Sequence, residues 1–411
     1  MSNKRRKKLS KKPTIIITII VLIIESLVFM SGYFVGVHST KTVTEEIEPV
    51  KKEQQVGPEQ DKTEKIVEKI MKDMTLSDMI YQMMFVTPES LTNVSTVVRA
   101  GETTKNALDK YPVGGIVYFS QNFENREQTV EMIKKTQEYS EIPLFISVDE
   151  EGGRVSRLGS NAAMGTTKQP PMEHIGATGD AKKALEVGET LGKELSELGF
   201  NVDFAPDADV IINENNTEIG DRSFGTDPKL VAEMVSNVVK GLEGNGVSAT
   251  LKHFPGHGST HVDSHTGYSA SDRTIEQLRE TEFLPFKAGI DAGADFIMIS
   301  HITLVNATDE KLPSSISKEV ITDMLINELG YKGIVITDSF SMGAITKEYS
   351  ISDAVTKAIN AGVDMILMSS DLNGTHDALL KATENGEVSE ERIKESVRKI
   401  LTLKVEKQMI K

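Results

Sequence analysis

The chain has no cysteine and no tryptophan, and aromatic residues make up only 5% of it. Without cysteine there can be no disulfide, no thiolate metal ligand, no cysteine nucleophile and no lipid-bearing cysteine anchor, which suits a location outside the cytoplasm. The shortage of aromatics weighs against a non-catalytic wall-binding module, since sugar-binding surfaces usually offer aromatic platforms. Two motifs are also missing. EEGGRV clusters glycines without the G-x-G-x-x-G spacing of a dinucleotide site, and no H-E-x-x-H is present.

Basic residues are outnumbered everywhere except at one end. The 411 residues carry a net charge of −15, yet residues 4–12 hold seven Lys and Arg and no acid, leaving 39 bases against 61 acids elsewhere. So acidic a body repels polyanions, and nucleic acid is not expected as a partner.

The basic tail, residues 1–13, is followed by TIIITIIVLIIESLVFMSGYFVGV, residues 14–37, in which Glu25 is the single charge. At about 1.5 Å per residue this stretch makes roughly 36 Å of helix, enough to cross a bilayer core of about 30 Å. The positive flank predicts a cytoplasmic N-terminus and an external body. A signal peptide cleaved near Val37-His38-Ser39 is the alternative, and would release a secreted protein. Gly32 and Gly36 form a weak helix-pairing signal and leave the oligomeric state open. Residues 38–62 are polar and charged and read as a flexible linker.

From residue 63 to residue 411 short apolar runs alternate with amphipathic helical stretches such as 181–199 and 227–246. Strands are expected at 79–86, 114–119, 143–149, 201–206, 247–254, 294–301, 333–339 and 363–369. Eight such repeats predict an α/β fold, a single (β/α)8 TIM-like barrel behind the transmembrane helix and tether. An open doubly wound sheet has the same alternation, but the missing phosphate fingerprint disfavours it. Polar residues gather where consecutive strands end, in DEEGGRVSR, DFAPDAD, KHFPGHG, SHI and TDS. In a barrel those ends share one face, the usual place for an active site.

The loop KHFPGHGSTHVDSH, residues 252–265, holds four of the eight histidines: His253, His257, His261 and His265. Their even spacing suggests a metal-binding row. Pro255, Gly256 and Gly258 break any helix that could align them, so no metal and no cofactor is expected. Asp263 two residues before His265 pairs a carboxylate with an imidazole, an arrangement suited to proton transfer. Asp338 ends the apolar strand GIVITDS, where an ionised carboxylate needs a partner or a task. A nucleophile and a helix N-cap both satisfy that need. Arg157, Arg222, Lys252 and His253 offer fixed donors. A glycosidase, a metallohydrolase and a binding module compete on these grounds.

These segments, in this order, resemble glycoside hydrolase family 3, and within it the β-N-acetylglucosaminidases of the NagZ type. The resemblance rests on DEEGGRVSR (149–157), IGATGD (175–180), NVDFAPDADV (201–210), IGDRSFG (219–225), KHFPGHGSTHVDSH (252–265), SHI (300–302) and ITDSFSMGAI (336–345). It implies Asp338 as nucleophile, His265 as acid/base and Asp263 as its dyad partner. It further implies Asp149, Arg157, Arg222, Lys252 and His253 as residues that hold the sugar. His301 is expected to line the same pocket, with packing as its competing role. His257 and His261 are expected to shape the loop. Ser259 departs from the family, which commonly has Asp there. The implied reaction is retaining, exo-acting hydrolysis of N-acetylglucosamine from glycans or muropeptides, and the expected anchor places it at the outer face of a bacterial cell membrane. A family phosphorylase and a β-glucosidase-like hydrolase are the alternatives.

Overall fold

The computed structural model describes residues 58–260 and 269–411. The expected transmembrane segment 14–37 lies outside the described residues, as does most of the expected linker. So do Asp263 and His265. Among the described residues no helix is long and apolar enough to cross a membrane. A compact unit runs from Gly57 to Lys411.

Eight barrel strands follow one another along the chain: β1 (Met84–Val86), β2 (Gly115–Val117), β3 (Phe145–Val148), β4 (Val202–Asp203), β5 (Ser248–Phe254), β6 (Phe296–Ile299), β7 (Ile334–Thr337) and β8 (Ile366–Leu367). They form one sheet in the order β7-β6-β5-β4-β3-β2-β1-β8, with every pairing parallel. The two ends of that order meet. Ile336 bridges Met365 just before β8, and the Leu367 amide donates to Thr337 Oγ1 at 3.1 Å. The sheet therefore closes into the expected barrel.

Each strand is covered by helices outside and by packed side chains inside, so most strands are short apolar runs, with polar residues entering in β5 (SATLKHF) and at the end of β4. All residues of β3, β6 and β7 are buried. Phe85 of β1 lies 5.3 Å from Phe204 at the end of β4, and Phe145 of β3 lies 5.2 Å from Phe296 of β6. None of these strands are neighbours, so the rings meet across the barrel interior. Below them Lys404, from the helix Glu390–Glu406, places Nζ 5.0 Å from the Phe145 ring and 2.9 Å from Gln82 Oε1. Burial pushes this amine down to about 7.

Two boundaries differ from the sequence reading. The first expected strand, 79–86, begins as the helix Leu76–Gln82, and only its last residues form β1. A capping box explains this, because Thr75 and Asp78 satisfy each other's backbone amides and start a helix that the apolar run alone does not reveal. The expected linker ends early, since a helix spans Pro58–Asp73 and buries Val67 and Met71. The predicted helices at 181–199 and 227–246 form as Ala181–Leu198 and Pro228–Gly244, started by the side chains of Asp180 and Asp227. They pack face to face through Gly188 and Gly241. A Cβ on Gly188 would lie 2.4 Å from the Val238 carbonyl oxygen, so only glycine permits this approach.

Candidate active site

The C-terminal ends of the strands surround a cavity of about 300 Å³. Asp149 follows β3, Lys252 and His253 lie within β5, and Asp338 follows β7. Arg157 comes from the loop after β3 and Arg222 from the loop after β4. All six line this one cavity, together with Glu218 and an apolar side that includes Val117, Phe119, Met342 and Leu367. Of the five strand ends at which polar residues were expected, those of β3, β5 and β7 and the loop after β4 thus converge on the cavity, and SHI after β6 does not. His301 does not line the cavity. It is buried behind it, where Nε2 donates to the Ser339 carbonyl (2.9 Å) and Nδ1 meets Ser315 Oγ (2.8 Å). The structure places this ring against the residue after Asp338, the buttressing position that fits its competing packing role.

A buried ionic network underlies the cavity. Lys252 Nζ sits between Asp149 Oδ1 and Glu151 Oε1, 2.6 Å from each. Arg222 grips Glu151 through two bonds of 2.8 Å, the fork-to-fork geometry that guanidinium and carboxylate share. Burial alone would raise Glu151, but the charges of Arg222 and Lys252 hold it well below the usual carboxylate range. Burial alone would likewise lower Lys252, and Asp149 and Glu151 outweigh it and hold the ammonium charged. Arg157 Nη2 reaches Asp149 Oδ2 at 3.6 Å.

The state of His253 follows from its partners. Arg222 Nη2 stands 3.2 Å from His253 Nε2 and can only donate, so Nε2 is the accepting nitrogen. The ring proton therefore sits on Nδ1 and is donated to Asp209 Oδ2, 2.8 Å away. Burial, and then the nearby Arg222 charge, push His253 down to about 4, so the ring is neutral at physiological pH. Asp207 lies beside Asp209, and burial followed by that neighbouring charge raises it well above its ordinary value. Burial, first of all, raises Asp209 as well.

Asp207, Asp209 and His253 also bring potential metal-ligand atoms within 4.8 Å of one another. Arg222 already holds this corner, with Nε 3.5 Å from Asp207 Oδ2 and Nη2 on His253. A metal ion would have to displace both the guanidinium and the imidazole proton. The donors fit the cation they hold.

His257 is buried in the loop. Its amide donates to Asp209 Oδ1 (2.5 Å), its Nδ1 meets Thr260 Oγ1 (2.9 Å), and its ring centre is 5.9 Å from that of His253. Burial pushes it down to about 4 as well. Asn216 and Asn213 clamp the carbonyls of His257 and Thr260 at 2.8 Å each. Ser259 bonds Ser271 through their hydroxyls (2.8 Å). The peptide between Lys252 and His253 is cis.

Sequence reasoning missed Glu151, Asp207, Asp209 and Glu218 as members of the site. The alternation in DADV and the acidic pair after Asp149 were the signals. A set of fixed cations in a closed space requires nearly as many carboxylates to hold it.

A barrel whose strand ends enclose a polar cavity of this kind is an enzyme architecture. The Glycosyl hydrolase family 3 N terminal domain matches residues 75–403, and the chain belongs to that family. It is 36% identical over 326 residues to beta-hexosaminidase A of Pseudoalteromonas piscicida, a match covering 72% of this chain and 54% of that one. It is 35% identical over 262 residues to the beta-hexosaminidase of Stenotrophomonas maltophilia (strain R551-3), covering 62% of this chain and 76% of the relative. Among solved structures, a glycoside hydrolase family 3 beta-N-acetylglucosaminidase from Paenibacillus sp. str. FPU-7 superposes with a TM-score of 0.76 at 37% identity. That superposition covers 82% of this chain and 63% of the other. The chain thus spans less than two thirds of the Pseudoalteromonas and Paenibacillus proteins.

Proposed function

We propose that the protein is a retaining exo-β-N-acetylglucosaminidase acting on peptidoglycan fragments of the GlcNAc–MurNAc type. One observation carries this reading: Asp338 opens into the same small cavity as Asp149, Arg157, Arg222, Lys252 and His253. The cavity's volume suits one terminal sugar. Its fixed donors and acceptors suit a ring studded with hydroxyls, and its apolar side suits an acetamide methyl.

In this reading Asp338 attacks the anomeric carbon while His265 protonates the departing oxygen, giving a covalent glycosyl-enzyme and a free aglycone. His265 then takes a proton from water, which attacks the same carbon and releases N-acetylglucosamine with its configuration retained. Asp263 orients the imidazole and supports its protonated form. Neutral His253, fixed by Asp209, has no proton to contribute through Nε2. It therefore serves in binding, and proton transfer is left to the loop. Lys252 and Arg222 stay charged throughout and hold the ring where Asp338 can reach it.

The anchor reading adds a location. The apolar stretch 14–37 and its basic flank support a single-pass membrane protein with the barrel outside the cell. Recovery of the intact chain in the membrane fraction, released by detergent and not by salt, is the expected result. A soluble chain that begins near residue 39 would replace the anchor with a cleaved signal.

The test of the reaction is product analysis with a chromogenic N-acetylglucosaminide and with muropeptides, in the presence and absence of phosphate. Free N-acetylglucosamine in both conditions supports the hydrolase. A sugar 1-phosphate formed only with phosphate would make the enzyme a phosphorylase. In the same assay Asp338→Ala should abolish turnover. His265→Ala should slow poor leaving groups far more than good ones, and equal losses would remove it from the acid role.

A further inference from the structure

The loop after β3 begins at Asp149 and ends at Arg157, two of the residues to which sugar binding is assigned above. Between them the chain reverses through a short antiparallel ribbon, Glu150–Gly152 against Val155–Ser156. Gly152 and Gly153 turn it with φ of 100° and 55°, in the left-handed region that suits glycine. Such a turn brings the two ends of the loop near each other but does not fix them.

Glu150 fixes them. It is 2% exposed, and its carboxylate is turned into the loop and away from the cavity. Oε2 accepts the amides of Arg157 and Leu158, each at 2.7 Å. Oε1 accepts the Gly159 amide at 3.2 Å and the Ser156 hydroxyl. Glu150's own amide donates to Asp203 Oδ1 at 3.0 Å, which ties the assembly to the end of β4. One carboxylate therefore collects four donors from consecutive residues. The result is that Arg157 faces back toward Asp149, its Nη2 3.6 Å from Asp149 Oδ2.

We propose that Glu150 is a positioning residue for substrate binding: by holding the Ser156 hydroxyl and the backbone amides of residues 157–159 it sets the Arg157 guanidinium at the cavity, facing Asp149.

 That orientation is what lets Arg157 and Asp149 act on one ligand together. The proposal rests on the binding role assigned to those two residues. Glu150 makes no contact with the sugar in this scheme and acts entirely through the loop.

The test compares Glu150→Ala and Glu150→Gln with Arg157→Ala and with the Glu150→Ala/Arg157→Ala double variant, using a chromogenic N-acetylglucosaminide. Glu150→Ala should raise KM by roughly tenfold or more with kcat little changed, because a displaced binding group weakens ground state and transition state alike. Glu150→Gln keeps an accepting oxygen and should restore part of the loss. The double variant should be no worse than Arg157→Ala alone. Hydrogen exchange at the amides of Arg157, Leu158 and Gly159 is read in parallel, and should accelerate in Glu150→Ala while the barrel strands stay protected. An unchanged KM, or losses that multiply in the double variant, would overturn the proposal. Slow exchange at those amides in Glu150→Ala would overturn it as well. If the wild-type enzyme released no N-acetylglucosamine, the functional reading would fall, and the exchange measurement would still decide whether Glu150 holds the loop.

Discussion

Glu151 is the residue on which the buried network turns, and replacing it with Gln is the most informative perturbation. Gln preserves the side-chain volume but removes the negative charge that lies between Arg222, with two bonds of 2.8 Å, and Lys252, at 2.6 Å. The side chains of Glu151, Lys252 and Arg222 are only 1%, 3% and 8% exposed, so water cannot replace the lost partner. Removing one member of a buried ion pair costs about 3–5 kcal/mol. Unfolding entropy is about 2.1 cal/mol/K per residue, and the compact unit runs from Gly57 to Lys411. The melting temperature should therefore fall by about 4–7 °C by scanning calorimetry. The chromogenic assay should lose about tenfold or more in kcat/KM, because both cations shift. Combining Glu151→Gln with Arg222→Met should cost less than the sum of the single changes, since the orphaned guanidinium is then gone as well. A melting temperature within about 1 °C of wild type, or costs that add to within about 0.5 kcal/mol, would refute the reasoning.

Two further outcomes follow from buried bases. The folded amine of Lys404 binds its proton near pH 7 and the unfolded one near 10.5. The folded state therefore bears the full cost of burial below pH 7, on the order of 4–5 kcal/mol, and less of it as pH rises toward 10.5. Lys404→Met should raise the urea midpoint clearly at pH 6.5, even after about 1–3 kcal/mol is lost on the unpaired Gln82 oxygen, and little or not at all at pH 9.5; an equal gain at both would contradict this. His253 and His257 take up protons near 6.5 when unfolded but only near 4 when folded. Stability should thus fall as pH drops from 6.5 to 4, by on the order of 3 kcal/mol for each ring. The raised carboxyls of Asp203 and Asp207 act in the opposite direction, so the check is a comparison: His257→Gln should show a flatter stability curve across that window than wild type, and an identical slope would count against the assignment.

Much of this architecture was legible in the sequence, for a physical reason. A strand buried on both faces is mostly apolar, its polar members being those with buried partners, and β3, β5, β6 and β7 lie within the runs that were read as strands. Polar residues at the ends of such runs have few places to point, so Asp149, Arg157, Arg222, Lys252, His253 and Asp338 could be expected at one cavity. The start of β1 was not legible, because MIYQ is as apolar in a buried helix turn as in a strand and only its cap decides. The roles of neighbouring acids were also hidden. Asp149, Glu150 and Glu151 are adjacent in sequence, yet one lines the cavity, one closes a loop and one locks two cations. Alternating strand direction sends neighbours to opposite sides, but a turn at Gly152 and Gly153 breaks that rule, and only coordinates tell which acid meets which base. The members of the histidine row take different roles for a related reason. His253 and His257 are four apart and close in space, but one belongs to a strand and the other to a loop, and both are engaged by Asp209.

The central claim is that Asp338 forms a covalent bond to the sugar. Incubating the enzyme with an activated fluorinated N-acetylglucosaminide that reacts quickly and hydrolyses slowly, followed by peptide mapping by mass spectrometry, tests it directly. The account predicts one added sugar on the peptide containing Asp338, absent from Asp338→Ala. Label on any other residue, or turnover with no covalent adduct and inverted product, would contradict it.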